Sequence, residues 1–170
     1  MKFFAECRDN LAGDHLETEY RRYSDAYGAH QRFILIGNGG SNSAAGHIAQ
    51  DFTKRGGKQA YSFTDPSMLT CFMNDFGVEK AYAKYLEYYS DPETLAIFIS
   101  SSGESRNIVE AVRWCRENRL RYGVLTAFGP ENTVRTMSTD AEFNYYIPTR
   151  SYGVAECLHQ IFLHGVVECQ

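Results

Sequence analysis

Five side chains in this sequence stand at spacings that suit proton-transfer or metal chemistry. His47 and Asp51 lie four residues apart, and Glu156, Gln160 and His164 follow one another at intervals of four. Residues four apart share a face of a helix, so each set forms a polar stripe if its segment is helical. A carboxylate beside an imidazole is an acid–base or metal-ligand pair. A polar stripe on an otherwise apolar helix also demands a partner, because unpaired buried polar groups are costly. Two further stretches suit anions: GNGGS at 37–41 and SSSGES at 100–105. Glycines let backbone N–H groups turn towards a ligand without Cβ atoms in the way. Serine hydroxyls and the helix starts that follow supply further donors for a phosphate.

The elements that position these residues follow from the apolar pattern. The run from Phe33 to Ile36 is too short for a buried helix and suits a buried parallel strand. It breaks at Gly37-Asn38-Gly39-Gly40, and Ser41 is placed as the N-cap of a helix that carries His47 and Asp51 and stops at Gly56-Gly57. Leu95–Ile99 is a second buried strand that runs into the serine loop, and Arg106–Leu120 reads as the next helix. Ala60–Phe63, Tyr122–Phe128 and Phe143–Ile147 complete the strands. Asp65-Pro66 starts a turn or helix that Asn74-Asp75-Phe76-Gly77 breaks, and residues 78–90 are helical up to Asp91-Pro92. The final helix begins near Val154, with Leu158, Ile161, Phe162 and Val166 apolar and His159 on the other flank as a packed or interface histidine. Residues 2–29 read as helix interrupted at Gly13, which either packs on a neighbouring subunit or covers its own sheet. Strands alternating with helices predict one α/β domain over residues 1–170, a parallel sheet covered on both faces. Ligands of such sheets collect outside the carboxyl ends of the strands, where both special loops lie.

Composition excludes several function classes. With 17 basic and 21 acidic residues among 170, the net charge is −4, and nothing suggests a nucleic-acid surface. No apolar run approaches the roughly 20 residues of a membrane span. The N-terminus, MKFFAECRDN, lacks a signal peptide's apolar core, so the expected location is the cytoplasm. The five cysteines are odd in number, scattered and without C-x-x-C, as expected of reduced thiols; Cys157 and Cys169 read as packing. GNGGSN lacks the third glycine or alanine of G-x-G-x-x-G and no G-K-[ST] follows, so no nucleotide cofactor is expected.

GNGGS, the helix bearing His47 and Asp51, NDFG, SSSGES and the closing E-x-x-H-x-x-x-x-H together resemble the sugar isomerase (SIS) domain family. Within it the chain is most similar to the phosphoheptose isomerases, which act on sedoheptulose 7-phosphate. The resemblance implies a flavodoxin-like three-layer sandwich with a five-stranded parallel sheet, assembled as a homotetramer with active sites between subunits. It implies an aldose–ketose isomerase working through an enediol, with Asp51 and His164 as the proton-transfer pair and a small phosphorylated sugar as the partner. Asn38, Gly39, Gly40, Ser41, Asp75, Ser100, Ser101, Ser102, Ser105 and Glu156 would surround the substrate. Some members bind zinc, and the matching positions are His47, Asp51, Glu156 and His164. Asp51 stands where the family has a glutamate, Glu156 where it has a glutamine, and Glu104 where it has an asparagine. The aspartate that the family carries just before the last helix is replaced within Ser151-Tyr152-Gly153-Val154. The alternative is a non-catalytic SIS module that binds a phosphosugar or a protein; such a binder has no chemical reason to keep Asp51 and His164.

Overall fold

Five short apolar segments pair side by side because each can bury both faces only under helices. In the computed structural model, which describes residues 1–168, they are β1 (Arg32–Gly37), β2 (Gln59–Ser62), β3 (Thr94–Ser100), β4 (Arg121–Ala127) and β5 (Asn144–Ile147). Every pairing is parallel and the order is β2-β1-β3-β4-β5, the flavodoxin-like arrangement. All seven residues of the central β3 are buried. Register sets Gly37 of β1 level with Ile99 of β3, so the glycine and serine loops leave the sheet side by side.

The helices are α1 (Lys2–Leu11), α2 (Asp14–Ala29), α3 (Gly40–Lys54), α4 (Pro66–Phe76), α5 (Ala81–Tyr89), α6 (Arg106–Asn118), α7 (Thr133–Met137) and α8 (Tyr152–Glu168). One face of the sheet is covered by α2, α3 and α8, whose Tyr23, Phe52 and Phe162 pack on Phe33, Leu35, Leu125 and Phe143. The other face is covered by α5 and α6 through Tyr82, Leu86, Ile108 and Val112, with α4 and α7 at the rim. The chain does break at Gly13, and the alternative left open for residues 2–29 resolves in two parts. Helix α2 covers its own sheet, with the Tyr23 ring 4.8 Å from Phe143 and 4.9 Å from Phe162. Helix α1 buries no residue and leaves Phe3 and Phe4 exposed.

Several boundaries differ from the sequence reading. Asn74 and Asp75 continue α4 rather than break it, and the turn comes only at Gly77, where φ is +80°. Asp65 starts that helix by accepting from the Met68 N–H at 2.9 Å, which makes the residues before Asn74 a true helix. Helix α7 was not foreseen, because five residues show no apolar period; it is held by caps from Asn132 and Glu104. Cys157 is exposed rather than packed, since Val154, Leu158 and Phe162 take the core-facing positions of α8. The other described cysteines are free thiols as expected; Cys169 lies outside the described residues. Among the described residues no helix is long and apolar enough to cross a membrane.

Both edges of the sheet are met by side chains. At β5 the Asn144 N–H donates to Glu19 Oε2 at 2.6 Å and the Tyr146 N–H to His15 Nε2 at 3.4 Å. At β2 the Ala60 N–H donates to Thr53 Oγ1 at 3.3 Å.

His159 is the packed histidine that the sequence allowed: fully buried, with Nε2 donating to the Thr126 carbonyl at 3.2 Å. Burial pushes its pKa down to about 4, against the smaller opposing effect of the Thr126 bond. The unfolded chain takes up this proton near pH 6.5 and the folded chain does not, so the stabilisation is complete above that pH. It is lost as pH falls from 6.5 towards about 4, with a slope of up to about 1.4 kcal/mol per pH unit. Urea unfolding across this range should show the loss in the native chain and a flatter profile in His159→Gln; equal slopes would assign the acid lability to other groups.

Candidate active site

The glycine loop is held by side chains from two other elements. Asn38 and Asn107, the second buried near the start of α6, exchange two amide hydrogen bonds of 2.9 Å each. The Tyr82 hydroxyl, buried on α5, reaches the Gly37 carbonyl at 2.8 Å and Asn38 Oδ1 at 2.9 Å. The helix that follows is capped two residues earlier than expected. Gly39, not Ser41, is the N-cap of α3, at φ +54° and ψ −123°, a conformation that serine adopts only at a cost. Ser41 is buried in the first turn, its N–H donating to the Asn38 carbonyl at 3.0 Å.

A cavity of about 260 Å³ opens between this loop and the serine loop. Asn38, Gly39, Gly40, Ser41, Ser100, Ser101, Ser102, Ser105 and Glu156 line it, together with Ile99 and Tyr152, which sequence reasoning did not select. Nine of the ten expected substrate residues are thereby brought together. Asp75 is the tenth and stands apart on exposed α4, its carboxylate accepting from Asn74 at 2.9 Å.

The serine loop is arranged to donate. Ser100 Oγ accepts from the Gly103 N–H and Ser102 Oγ from the Glu104 N–H, both at 3.2 Å, which leaves each hydroxyl proton free for an anion. Ser105 is the N-cap of α6 and its hydroxyl makes no capping bond. Ser101 Oγ is buried with no hydrogen-bond partner among the described residues. Because Ser101 lines the cavity, this hydroxyl is placed to meet a ligand or ordered water there. Glu104, which would have brought negative charge to this loop, is turned aside: its two oxygens accept from the Thr133 N–H at 2.8 Å and hydroxyl at 2.7 Å.

A second constellation lies further along the same two helices. Asp51 Oδ2 is 3.4 Å from His164 Nδ1 and 3.6 Å from His47 Nε2, and the two imidazole rings are 5.2 Å apart. The Gln160 amide nitrogen lies 3.4 Å from His164 Nε2, on the side of the ring away from Asp51. Asp51 and His164 are partly exposed and His47 more so. Ligand atoms of these three residues lie within 4.8 Å of one another, a spacing that one zinc ion could bridge with a position left open. Glu156 does not join them, contrary to the four-residue set. It shares the stripe with His164, but eight residues along α8 amount to about 12 Å of rise. Likewise Asp51 lies about 15 Å along α3 from Ser41, so one chain keeps its anion cavity and its acid–base cluster apart.

No protein-family model matches the chain. The phosphoheptose isomerase of Sodalis glossinidius (strain morsitans) is 31% identical over 156 residues, 89% of this chain and 77% of that protein. The chain belongs to the phosphoheptose isomerase family. A second family member, from Fusobacterium nucleatum, is 31% identical over 144 residues, 81% of this chain and 72% of that protein. Among solved structures, phosphoheptose isomerase GmhA from Neisseria gonorrhoeae superposes with a TM-score of 0.89 at 22% identity, over 99% of this chain and 93% of that one. That likeness is one of fold, and with the family membership it bears out the SIS assignment made from the motifs.

Besides Ile99 and Tyr152, motif reading missed Asn107 and Tyr82, which hold the glycine loop. The available signal was Asn107 itself, a polar residue on the face where Ile108, Ala111 and Val112 are buried. Removing one partner of a buried pair leaves the other unsatisfied, at about 1–3 kcal/mol. Asn107→Ala should therefore lower stability by that amount in a denaturant titration, with a parallel loss of ligand affinity; a change below about 0.5 kcal/mol would show the loop to be held otherwise.

Proposed function

We propose that the protein is an aldose–ketose isomerase that interconverts sedoheptulose 7-phosphate and a heptose 7-phosphate through an enediol. The observation that carries this is the cavity at the carboxyl ends of β1 and β3, walled by four serines of one loop, with the Ser101 hydroxyl unpartnered. Its donors are hydroxyls and the α6 N-terminus, a set that suits a phosphate without any lysine. The open-chain sugar is anchored there by its phosphate. Asp51 takes the proton from the carbon beside the carbonyl; the released electron pair forms the enediol double bond while the carbonyl oxygen gains a proton. His164 moves that proton between the two oxygens, and return of the carbon-bound proton to the neighbouring carbon completes the exchange of aldose for ketose.

The separation of cavity and acid–base cluster supports a site shared between copies, in a homotetramer. Phe4, Tyr152 and Ile161 are exposed apolar residues on α1 and α8, the kind of surface that interfaces use. His47, Asp51 and His164 would hold zinc, which when bound supplies Lewis-acid polarisation of the carbonyl. Free thiols and a phosphorylated sugar suit the cytoplasm. Native mass spectrometry of protein purified without chelator should report a tetramer with one zinc per chain; a monomer would remove the shared site, and a metal-free tetramer the zinc.

Exchange of the C1 or C2 hydrogen of sedoheptulose 7-phosphate with deuterated water, followed by NMR, tests the chemistry. His164→Ala and Asp51→Asn should each lower turnover by roughly 10²–10⁴, the contribution of a positioned acid or base, with a far smaller effect on binding. Intact binding without exchange in the native protein would favour the non-catalytic binder.

A further inference from the structure

Among the described residues Glu156 is the one carboxylate lining the cavity, and no lysine, arginine or histidine lines it. The other carboxylate of this region, Glu104, is committed to Thr133. Glu156 is folded against the glycine loop: a Cβ added at Gly40 would meet Oε1 at 2.4 Å and Oε2 at 2.9 Å. The carboxylate thus rests on the first turn of α3, where the helix dipole favours a negative charge. The sequence offers two loops for anions, and the structure fills one of them with an anion of its own. Only the serine loop is left for the phosphate of a ligand.

We infer that Glu156 is a specificity-determining residue. It excludes ligands that carry a second anion at the non-phosphorylated end of the sugar. The inference rests on the reading of this cavity as the phosphosugar site. A carboxylate accepts hydrogen bonds from hydroxyls, whereas a second phosphate or a carboxylate would meet it charge to charge in a half-enclosed space where water screens poorly. Specificity obtained by repulsion of the wrong ligand is as effective as attraction of the right one. The substrate class that follows is the sugar monophosphate; sugar bisphosphates and phosphorylated sugar acids are rejected. Glutamine at this position keeps the shape, removes the charge and adds a donor that an anion can use.

Calorimetric titration with sedoheptulose 7-phosphate, sedoheptulose 1,7-bisphosphate and inorganic phosphate tests the assignment, on native protein and on Glu156→Gln whose thermal melt shows it folded. The native chain should bind the monophosphate at least about tenfold more tightly than the bisphosphate, the scale of a single like-charge contact. Glu156→Gln should gain at least about tenfold in affinity for the bisphosphate. Equal native affinities for the two sugars, or no gain in the variant, would overturn the role of Glu156 while leaving the cavity as the phosphosugar site. Failure of the native chain to bind any of the three would overturn the site, and the inference with it.

Discussion

Two side-chain amides clasp each other at the head of the sheet, and the geometry of the site depends on that clasp. Asn38 belongs to the loop after β1 and Asn107 to the first turn of the helix after β3. The two strands are neighbours in register, so the amides have only one strand spacing to bridge, and each satisfies the other's donor and acceptor. Tyr82 closes the arrangement from the side of α5. A glycine-rich loop has little of its own to hold it, because glycine loses the most conformational freedom on ordering. The clasp supplies that order from outside the loop.

The fold was largely legible because buried parallel strands leave few alternatives. Phe33–Ile36 and Leu95–Ile99 are apolar at every position, and in the structure all of them are buried. The turn residues that follow them were equally plain. Distance was not legible. Periodicity puts Glu156, Gln160 and His164 on one stripe, yet only His164 reaches His47 and Asp51. A stripe specifies a direction around the helix axis and says nothing of position along it. Partner choice was hidden for the same reason: Glu104 looks like misplaced charge in the serine loop until α7, which has no period to announce it, comes to lie beside it. Ser41 was assigned to the cap by residue type, whereas the chain chose Gly39 by backbone angle.

Helices α3 and α8 run alongside each other on one face, and each carries a cavity residue near one end and an acid–base residue further on. The cavity end is lined by loop glycines, serine hydroxyls and two helix starts, with Glu156 as its carboxylate. The other end concentrates the ionisable side chains where solvent reaches them. In the proposed mechanism, binding and proton transfer would therefore have different electrostatic surroundings although the same two helices position both.

The capped strand edges bear on how copies of the chain can meet. An open edge presents alternate N–H and C=O groups to any extended segment that arrives, and addition of a strand is the shortest route to runaway polymerisation. Here Glu19, His15 and Thr53 already occupy N–H groups on the outer edges of β5 and β2. To take these N–H groups a newcomer strand would have to displace a carboxylate and an imidazole at β5, or a hydroxyl at β2. In the homotetramer proposed above, contacts between copies would go through helix surfaces, where a closed symmetric assembly saturates them.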